Sequence, residues 1–589
     1  MPEARAKVKA RGQAKAHTKP HDKTTPRVPP KKPVTRRWIY FAVAAAAIYL
    51  AFQVYAPALN GPYIFDDTAQ PYHIPRFSAT LHDWLVGVRP LLMLSYWINY
   101  RFSQEPTGFH ITNVLIHLCN TFLIFFIVNK LQQYGSPGRP VSPLLPAFAA
   151  AVFLLHPIQT ESVAYIAGRS ESLSVLFFLA AFAVFLYRRS PAVSWLTSIA
   201  VLALFGAAVA TKEHTLVLPG LLLLTDYYWN PGFSFSGIRR NWKLYAFIAA
   251  GVAMGLAFVA RILAHAPSAG FGLKDFTWYQ YFFTQCRAFF VYLRLLVFPA
   301  GQNMDWEYPI SRNLLDHGAI AGLIVILVLA AAAIYFRRRY PLASFGFLVY
   351  ILLMAPTSSF VPIKDPIAER RLYLPMLGIL LIVTAALQHI HVDRRKLAGA
   401  LAAIVLVLAV VSYQRNQLWA SDIAMWEDAA SKSPGKFRVH FQLAHTYYVD
   451  GRCQEALNQY EAAARLQKPD YSLLLDWGLA YDCLNQPDAA VAKLRDAAAL
   501  DPTTYVYSQI GMVYAKQSRW QEALDALAQA EKIDPSYDMI YDNRGGIRAR
   551  NNDLAGAAAD YRHALELNPS NDHARQMLGI VERQLSTPR

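Results

Sequence analysis

The sequence predicts an all-α protein in two parts, a polytopic helical membrane domain followed by a solenoid of paired helices. Two observations predict this. From Trp38 to about Tyr413 the chain is a series of apolar runs, several near the ~20 residues that a helix needs to cross a bilayer, and none of comparable length follows. Beyond that point Pro434, Pro469, Pro502, Pro535 and Pro569 recur at separations of 35, 33, 33 and 34 residues, a period that signals stacked helix pairs.

The formal charge of +17 is concentrated at the start, where residues 1–37 carry twelve Lys/Arg against Glu3 and Asp22. With Pro and Thr but almost no bulky apolar side chain, this tail should be disordered. It is too long and too basic for a cleaved signal peptide, and next to a span it reads as a cytoplasmic anchor rather than a nucleic-acid-binding arm. The first span, about Trp38 to Tyr55, leads outward, and Ile111–Val128 leads back. Between them Arg89–Phe102 is short and basic at both ends, as expected of a helix lying at the outer interface.

Further spans are expected at about Leu144–Leu155, Ser172–Tyr187, Ser194–Ala210, Thr215–Trp229, Leu244–Leu263, Gly318–Phe336, Leu342–Ala355, Leu372–Gln388 and Leu397–Tyr413, about eleven in all. Basic clusters at Lys130/Arg139, Arg188/Arg189, Arg239/Arg240/Lys243, Arg337/Arg338/Arg339 and Arg394/Arg395/Lys396 then share the side of the tail. Phe282–Phe298 is apolar enough to span, but as a span it would carry Arg337–Arg339 outside, so it is assigned to the outer interface. An odd number of spans leaves the C-terminal part outside. The expected location is a plasma or inner membrane (the ER membrane in a eukaryote), with repeats extracytoplasmic.

The domains are thus a tail (1–37), a membrane domain (38–413), a connecting half-repeat helix (414–436), and four repeats with a capping helix (437–585). In the repeats an aromatic, Gly-x-x-Tyr, two Ala and a Pro recur, as in Tyr507, Gly511, Tyr514, Ala523, Ala530 and Pro535. Small residues let paired helices pack closely, and the proline ends each pair. This is a tetratricopeptide pattern. First helices of such pairs line the concave face, which offers Arg438, Phe441, His445, Tyr448, Lys516 and Arg550 as acceptor-binding candidates, a mixture suited to an extended peptide. A rigid spacer with ordinary surface residues is the plainer alternative. Cys453 and Cys483 could pair if this part is extracytoplasmic, whereas Cys119 and Cys286 lie in apolar surroundings. No Cys/His spacing suggests zinc.

Chemistry-bearing residues gather at the outer ends of spans. Asp66 and Asp67 follow the first span in a run of turn formers, Asn60 to Thr68, that could equally be a solvated turn. A desolvated pair of carboxylates titrates apart, leaving one able to accept a proton. On the same side lie Arg89, Glu161, Arg169, Lys212 and Arg370. Carboxylates facing several cations suit a reaction between a phosphate-bearing lipid and a hydroxyl, the cations binding the leaving phosphate. Salt-bridge pairing and snorkelling into headgroups are the plainer reading of each charge taken singly.

Tyr63-Ile64-Phe65-Asp66-Asp67, Arg89-Pro90-Leu91, His156-Pro157-x-x-Thr160-Glu161, Gly168-Arg169-Ser170-Glu171, Thr211-Lys212-Glu213 and Ala368-Glu369-Arg370-Arg371-Leu372-Tyr373-Leu374-Pro375 together resemble the transmembrane and tetratricopeptide-repeat O-mannosyltransferases, of the GT-C glycosyltransferase class. The resemblance implies a GT-C-type membrane fold, a polyprenyl-phosphate sugar as donor substrate and an extracytoplasmic protein acceptor. It places the catalytic carboxylate of the first outer loop at Asp66. Asp67 and Glu161 would shape the site, with Arg89, Arg169, Lys212 and Arg370 as phosphate binders. Glu213 stands where a related transferase class has glycine. No cofactor, required metal or nucleic-acid partner is expected. The alternatives are a ligase moving a whole lipid-linked glycan and a non-enzymatic membrane scaffold.

Overall fold

A computed structural model describes residues 37–73, 80–138, 141–265 and 269–586. The basic tail up to Arg36, and Arg139, lie outside the described residues. One compact unit begins at Ala47 and includes both the membrane helices and the repeats.

Each apolar run is helical. Among the described residues, five helices are long and apolar enough to cross a membrane: Phe41–Asn60, Pro106–Gly135, Arg169–Leu186, Asp316–Arg338 and Arg394–Leu418. A sixth candidate is the pair Leu144–Leu155 and Pro157–Val163, bent by 50°. Pro157 breaks it, since proline lacks the N–H that would continue the ladder. Trp195–Val209, Pro341–Met354 and Met376–Leu387 are apolar but shorter, and Trp242–His265 is a helix of 24 residues. Leu218–Trp229 has 12 residues and ends near the buried Asp226, which accepts hydrogen bonds from Arg188, Asn230, Asn241 and Tyr245. About eleven helical runs are therefore present among the described residues, and five of them are bent or too short for a straight crossing.

The run at Phe282–Phe298 lies in the helix Trp278–Val297. It buries Tyr281, Gln285, Ala288, Tyr292 and Leu295 at helical spacing and exposes Phe290 and Val297, so one face only is packed. Pro90–Phe102 is likewise a short helix, with Leu92 and Tyr96 buried and Phe102 exposed. Pro341–Met354 and Met376–Leu387 meet at Gly346 and Gly378. A Cβ on Gly378 would sit 2.5 Å from the Gly346 carbonyl oxygen, so only glycine allows this approach.

The helix Asp422–Lys432 leads into helix pairs starting at Phe437, Tyr471, Thr504 and Asp538, closed by Asp572–Ser586. In the later pairs a glycine of the first helix packs against the second, as where Gly478 meets Leu494 and Gly545 meets Tyr561. Cys453 and Cys483 form a disulfide with Cα atoms 6.2 Å apart, joining the first repeat to the second.

The base of the array is built into the membrane domain. Ser433 Oγ accepts from Asn303 Nδ2 (2.8 Å) and from the Glu307 N–H (2.9 Å), and donates to the Asp305 carbonyl. Lys436 and Arg438 converge on Asp305 and Asp365. The loop 302–306 is in turn held by Glu369, whose carboxylate accepts from Gln302 Nε2, the Asn303 N–H and Trp306 Nε1.

Candidate active site

The loop after the first span docks against the end of the last membrane helix. A Cβ at Gly61 would lie 2.3 Å from the Trp419 carbonyl oxygen, which explains a glycine there. Tyr165 stacks on Trp419, with ring centroids 5.8 Å apart, and its hydroxyl accepts from the Asp66 N–H at 2.9 Å. The doublet is then split in two. Asp67 is 1% exposed and accepts from the Ile64 N–H, the Tyr72 hydroxyl and the Ala167 N–H. Burial pushes its carboxyl up to about 7 against the pull of those hydrogen bonds. Asp66 is exposed, and its carboxylate enters no ion pair or hydrogen bond among the described residues. Asp67 therefore shapes the loop, and Asp66 is the member free to meet a ligand. Phe65, between Ile64 and Asp66, has φ +52°, a conformation that costs a bulky residue on the order of 1–3 kcal/mol.

Three cations come to this face from separate segments, each paired. Arg370 binds both oxygens of Glu161, through Nη1 and through its own N–H at 2.9 Å. Lys212 Nζ meets Glu171 at 2.6 Å and reaches Ser170 Oγ. Arg89 forms a fork on Glu213, at 2.7 and 3.2 Å. Lys212 feels the charges of both Arg89 and Arg370, and Arg370 that of Asp66. Arg370 thus links the charge of Asp66 to the Lys212 and Arg89 pairs. The pKa of Arg370 is raised: burial opposes its charge, but Glu161, Tyr165 and Asp66 together outweigh it. His214 joins Glu171 at 3.2 Å, which makes the Lys212 group a triad.

Arg169 corrects the expectation of a fourth phosphate binder. It is fully buried, with Nε on Asn113 Oδ1 (2.7 Å), Nη2 on the Phe109 carbonyl and Nη1 on the Ser95 carbonyl. Its guanidinium lies against Tyr96 and Phe109. Closed off in this way it presents no donor to a ligand, and its role is to fasten the helix Pro90–Phe102 to the site.

The acceptor-binding candidates also divide. Arg438 is occupied by Asp305 and Asp365, and Phe441 stacks on Phe437 beside Tyr460. These two belong to the docked base, not to an open groove. His445 is exposed and 3.5 Å from Asp476, which raises its pKa. Tyr448 is half-buried, Lys516 is exposed and paired with Asp482, and Arg550 is exposed. Trp426, Tyr165 and Asn113 do not stand out in the sequence, where single aromatic or amide residues carry no periodic signal. Among the described residues no group of three or more His, Cys, Asp or Glu could hold a metal ion.

An apolar cleft of about 370 Å³ opens next to Arg89. It is lined by Val88, Pro90, Leu202, Phe205, Val209 and Leu216, with Val88 and Pro90 flanking Arg89 and Leu216 four residues beyond Lys212.

No protein-family model matches the chain. Solved structures of two tetratricopeptide proteins, YrrB (23% identity, 29% of this chain and 86% of that one, TM-score 0.24) and TTC0263 of Thermus thermophilus (22%, 30% and 97%, 0.25), align with part of it. Among curated proteins, the chain is 25% identical over 554 residues to protein O-mannosyl-transferase TMTC3 of Homo sapiens, covering 85% of this chain and 59% of that protein. It is 26% identical over 572 residues to Tmtc3 of Drosophila melanogaster (79% and 59%), and 26% over 502 residues to TMTC4 of Homo sapiens (72% and 66%). The chain spans about three-fifths of the length of the first of these relatives. Over most of its own length, this membrane and repeat protein resembles the proteins named protein O-mannosyl-transferases.

Proposed function

We propose that the chain is an inverting GT-C membrane glycosyltransferase that moves one sugar from a polyprenyl-phosphate donor to a hydroxyl of an extracytoplasmic polypeptide. The observation that carries this is Asp66, an unpaired exposed carboxylate whose charge is felt by Arg370, on the face that also holds the Lys212 and Arg89 pairs and an apolar cleft next to Arg89. The cleft takes the start of the isoprenoid chain, and Arg89, Lys212 and Arg370 meet the phosphate. Asp66 accepts the proton of a Ser or Thr hydroxyl as its oxygen bonds to the anomeric carbon. The bond from that carbon to the phosphate oxygen breaks, and polyprenyl phosphate leaves with the electron pair. The names of the relatives make mannose the first sugar to test.

The disulfide in the repeats supports an extracytoplasmic array, since such bonds persist on the oxidising side of a membrane. Beyond its docked base, the array keeps an acceptor close to the site, and the contribution of those outer repeats is effective concentration rather than chemistry. In the test, Asp66→Asn is reconstituted with radiolabelled polyprenyl-phosphate mannose and a threonine-rich polypeptide. Transfer should fall by about 100-fold or more with donor binding retained. Wild-type transfer by that variant would remove Asp66 from the chemistry.

A further inference from the structure

We infer that Trp426 and Arg438, at the base of the repeat array, are positioning residues for Asp66, acting through the ring of Phe65. The assignment rests on Asp66 as the proton acceptor. Phe65 lies in the left-handed region, and it immediately precedes Asp66. Its ring meets Trp426 edge-to-face at 5.7 Å and 78°, and the Arg438 guanidinium lies 5.4 Å from its centroid. A bulky residue holds such a φ only where its surroundings over-determine it. Here they do. Trp426 is buried with Val439, Leu443 and Tyr460, and Arg438 is fixed by Asp305 and Asp365 from two loops of the membrane domain. Ile64 and Asp67, on either side, are buried, so a turn of Phe65 out of this conformation re-aims mainly Asp66.

The array is thereby part of the wall of the site, and its first helix pair sets the direction of the carboxylate. Lys436 separates this effect from docking as such. It shares Asp305 and Asp365 with Arg438, whereas the cation over the Phe65 ring is Arg438.

The experiment compares Trp426→Leu, Trp426→Phe, Arg438→Gln and Lys436→Gln in the 589-residue chain. The readouts are transfer from polyprenyl-phosphate mannose and hydrogen exchange of the amides of residues 64–67. Trp426→Leu and Arg438→Gln should lower kcat by about tenfold or more with the donor KM unchanged, as expected for a misplaced catalytic group. Trp426→Phe, which keeps an edge-on ring, should restore the rate, and Lys436→Gln should stay within about twofold of wild type. The Asp66 amide, bonded to Tyr165, should exchange about tenfold faster in the first two variants only. Glycine adopts a left-handed φ freely, so in a Phe65→Gly background Trp426→Leu should change kcat by less than about twofold. Equal losses in both backgrounds, or a Lys436→Gln loss equal to that of Trp426→Leu, would overturn the inference. Wild-type transfer by Asp66→Asn would instead strike down the role of Asp66, and the exchange data would still decide whether Trp426 and Arg438 hold the loop.

Discussion

Arg370 is the residue at which a structural ion pair and a phosphate ligand make different predictions. Its partner Glu161 is 4% exposed, while about a third of the Arg370 side chain, 32%, is open to solvent. Removing the guanidinium alone leaves a buried carboxylate uncompensated. That costs about 3–5 kcal/mol for a fully buried pair, and about 2–3 kcal/mol here once the open side of Arg370 is discounted. A single Arg370→Gln variant would therefore lose stability and donor affinity together, and neither loss could be assigned. The informative variant is Glu161→Gln with Arg370→Gln, which replaces the pair by two neutral amides.

Stability should then return to within about 1 kcal/mol of wild type, read as the unfolding midpoint in a lipid nanodisc. Donor affinity should not return. Loss of one charged contact to a partly dehydrated phosphate, about 2 kcal/mol, raises Kd by about 30-fold. The assay is a titration with polyprenyl-phosphate mannose beside a thermal melt on the same preparation. A double variant that binds donor like wild type would show that Arg370 serves only as the counter-ion of Glu161.

Three further outcomes are expected. Asp67 and Glu369 are both pushed up to about 7 by burial, so the protons they bind in the folded state are worth most at low pH. Their contribution is complete below the unfolded carboxyl range and is lost as pH rises through 7; the unfolding midpoint should fall between pH 5 and 8, and Asp67→Asn with Glu369→Gln should flatten that slope. Deleting residues 504–589 keeps the docked repeats and should spare slow transfer to a short threonine peptide, whereas deleting 437–589 also removes Arg438 and should abolish it. Wild-type peptide transfer by the longer deletion would contradict a repeat base built into the site. A periplasmic or luminal reporter fused after Arg589 should be active and a cytoplasmic reporter there silent, and the reverse would mean that one apolar run, Trp278–Val297 first, was assigned to the wrong depth.

The architecture was largely legible in the sequence because it is written in periods. Prolines every 33 to 35 residues and glycines opposite bulky partners mark the helix pairs, and apolar runs mark the membrane helices. What the periods could not convey was the join. Ser433, Lys436 and Arg438 look like ordinary polar residues at a helix start, and only the fold reveals that Asp305 and Asp365, more than 70 residues upstream, receive them. For that reason the sequence points Arg438 into an open groove when it is part of a seam. Arg169 misleads for a related reason. A guanidinium at the outer end of a helix reads as a ligand for phosphate until Asn113 and two backbone carbonyls are seen to occupy it.

The candidate charges were legible, but their pairing was not, and the pairing bears on the proposed mechanism. Asp66, Glu161, Glu171 and Glu213 outnumber Arg89, Lys212 and Arg370, so the cluster is no simple anion trap. A polyprenyl-phosphate sugar is a phosphodiester with one negative charge, and it becomes a monoester bearing up to two as the sugar departs. If such a donor binds here as proposed, cations already half-neutralised by carboxylates hold its single charge weakly. They are nonetheless fixed in place at low dielectric and answer fully to the second charge as it develops. Carboxylate partners of this kind shift stabilisation from the bound donor to the transition state. Neutralising a partner, as in Glu171→Gln, should therefore tighten donor binding and slow turnover together, the signature of an interaction moved from transition state to ground state. Tighter binding with turnover unchanged, read from donor titration and single-turnover transfer on the same variant, would refute that account.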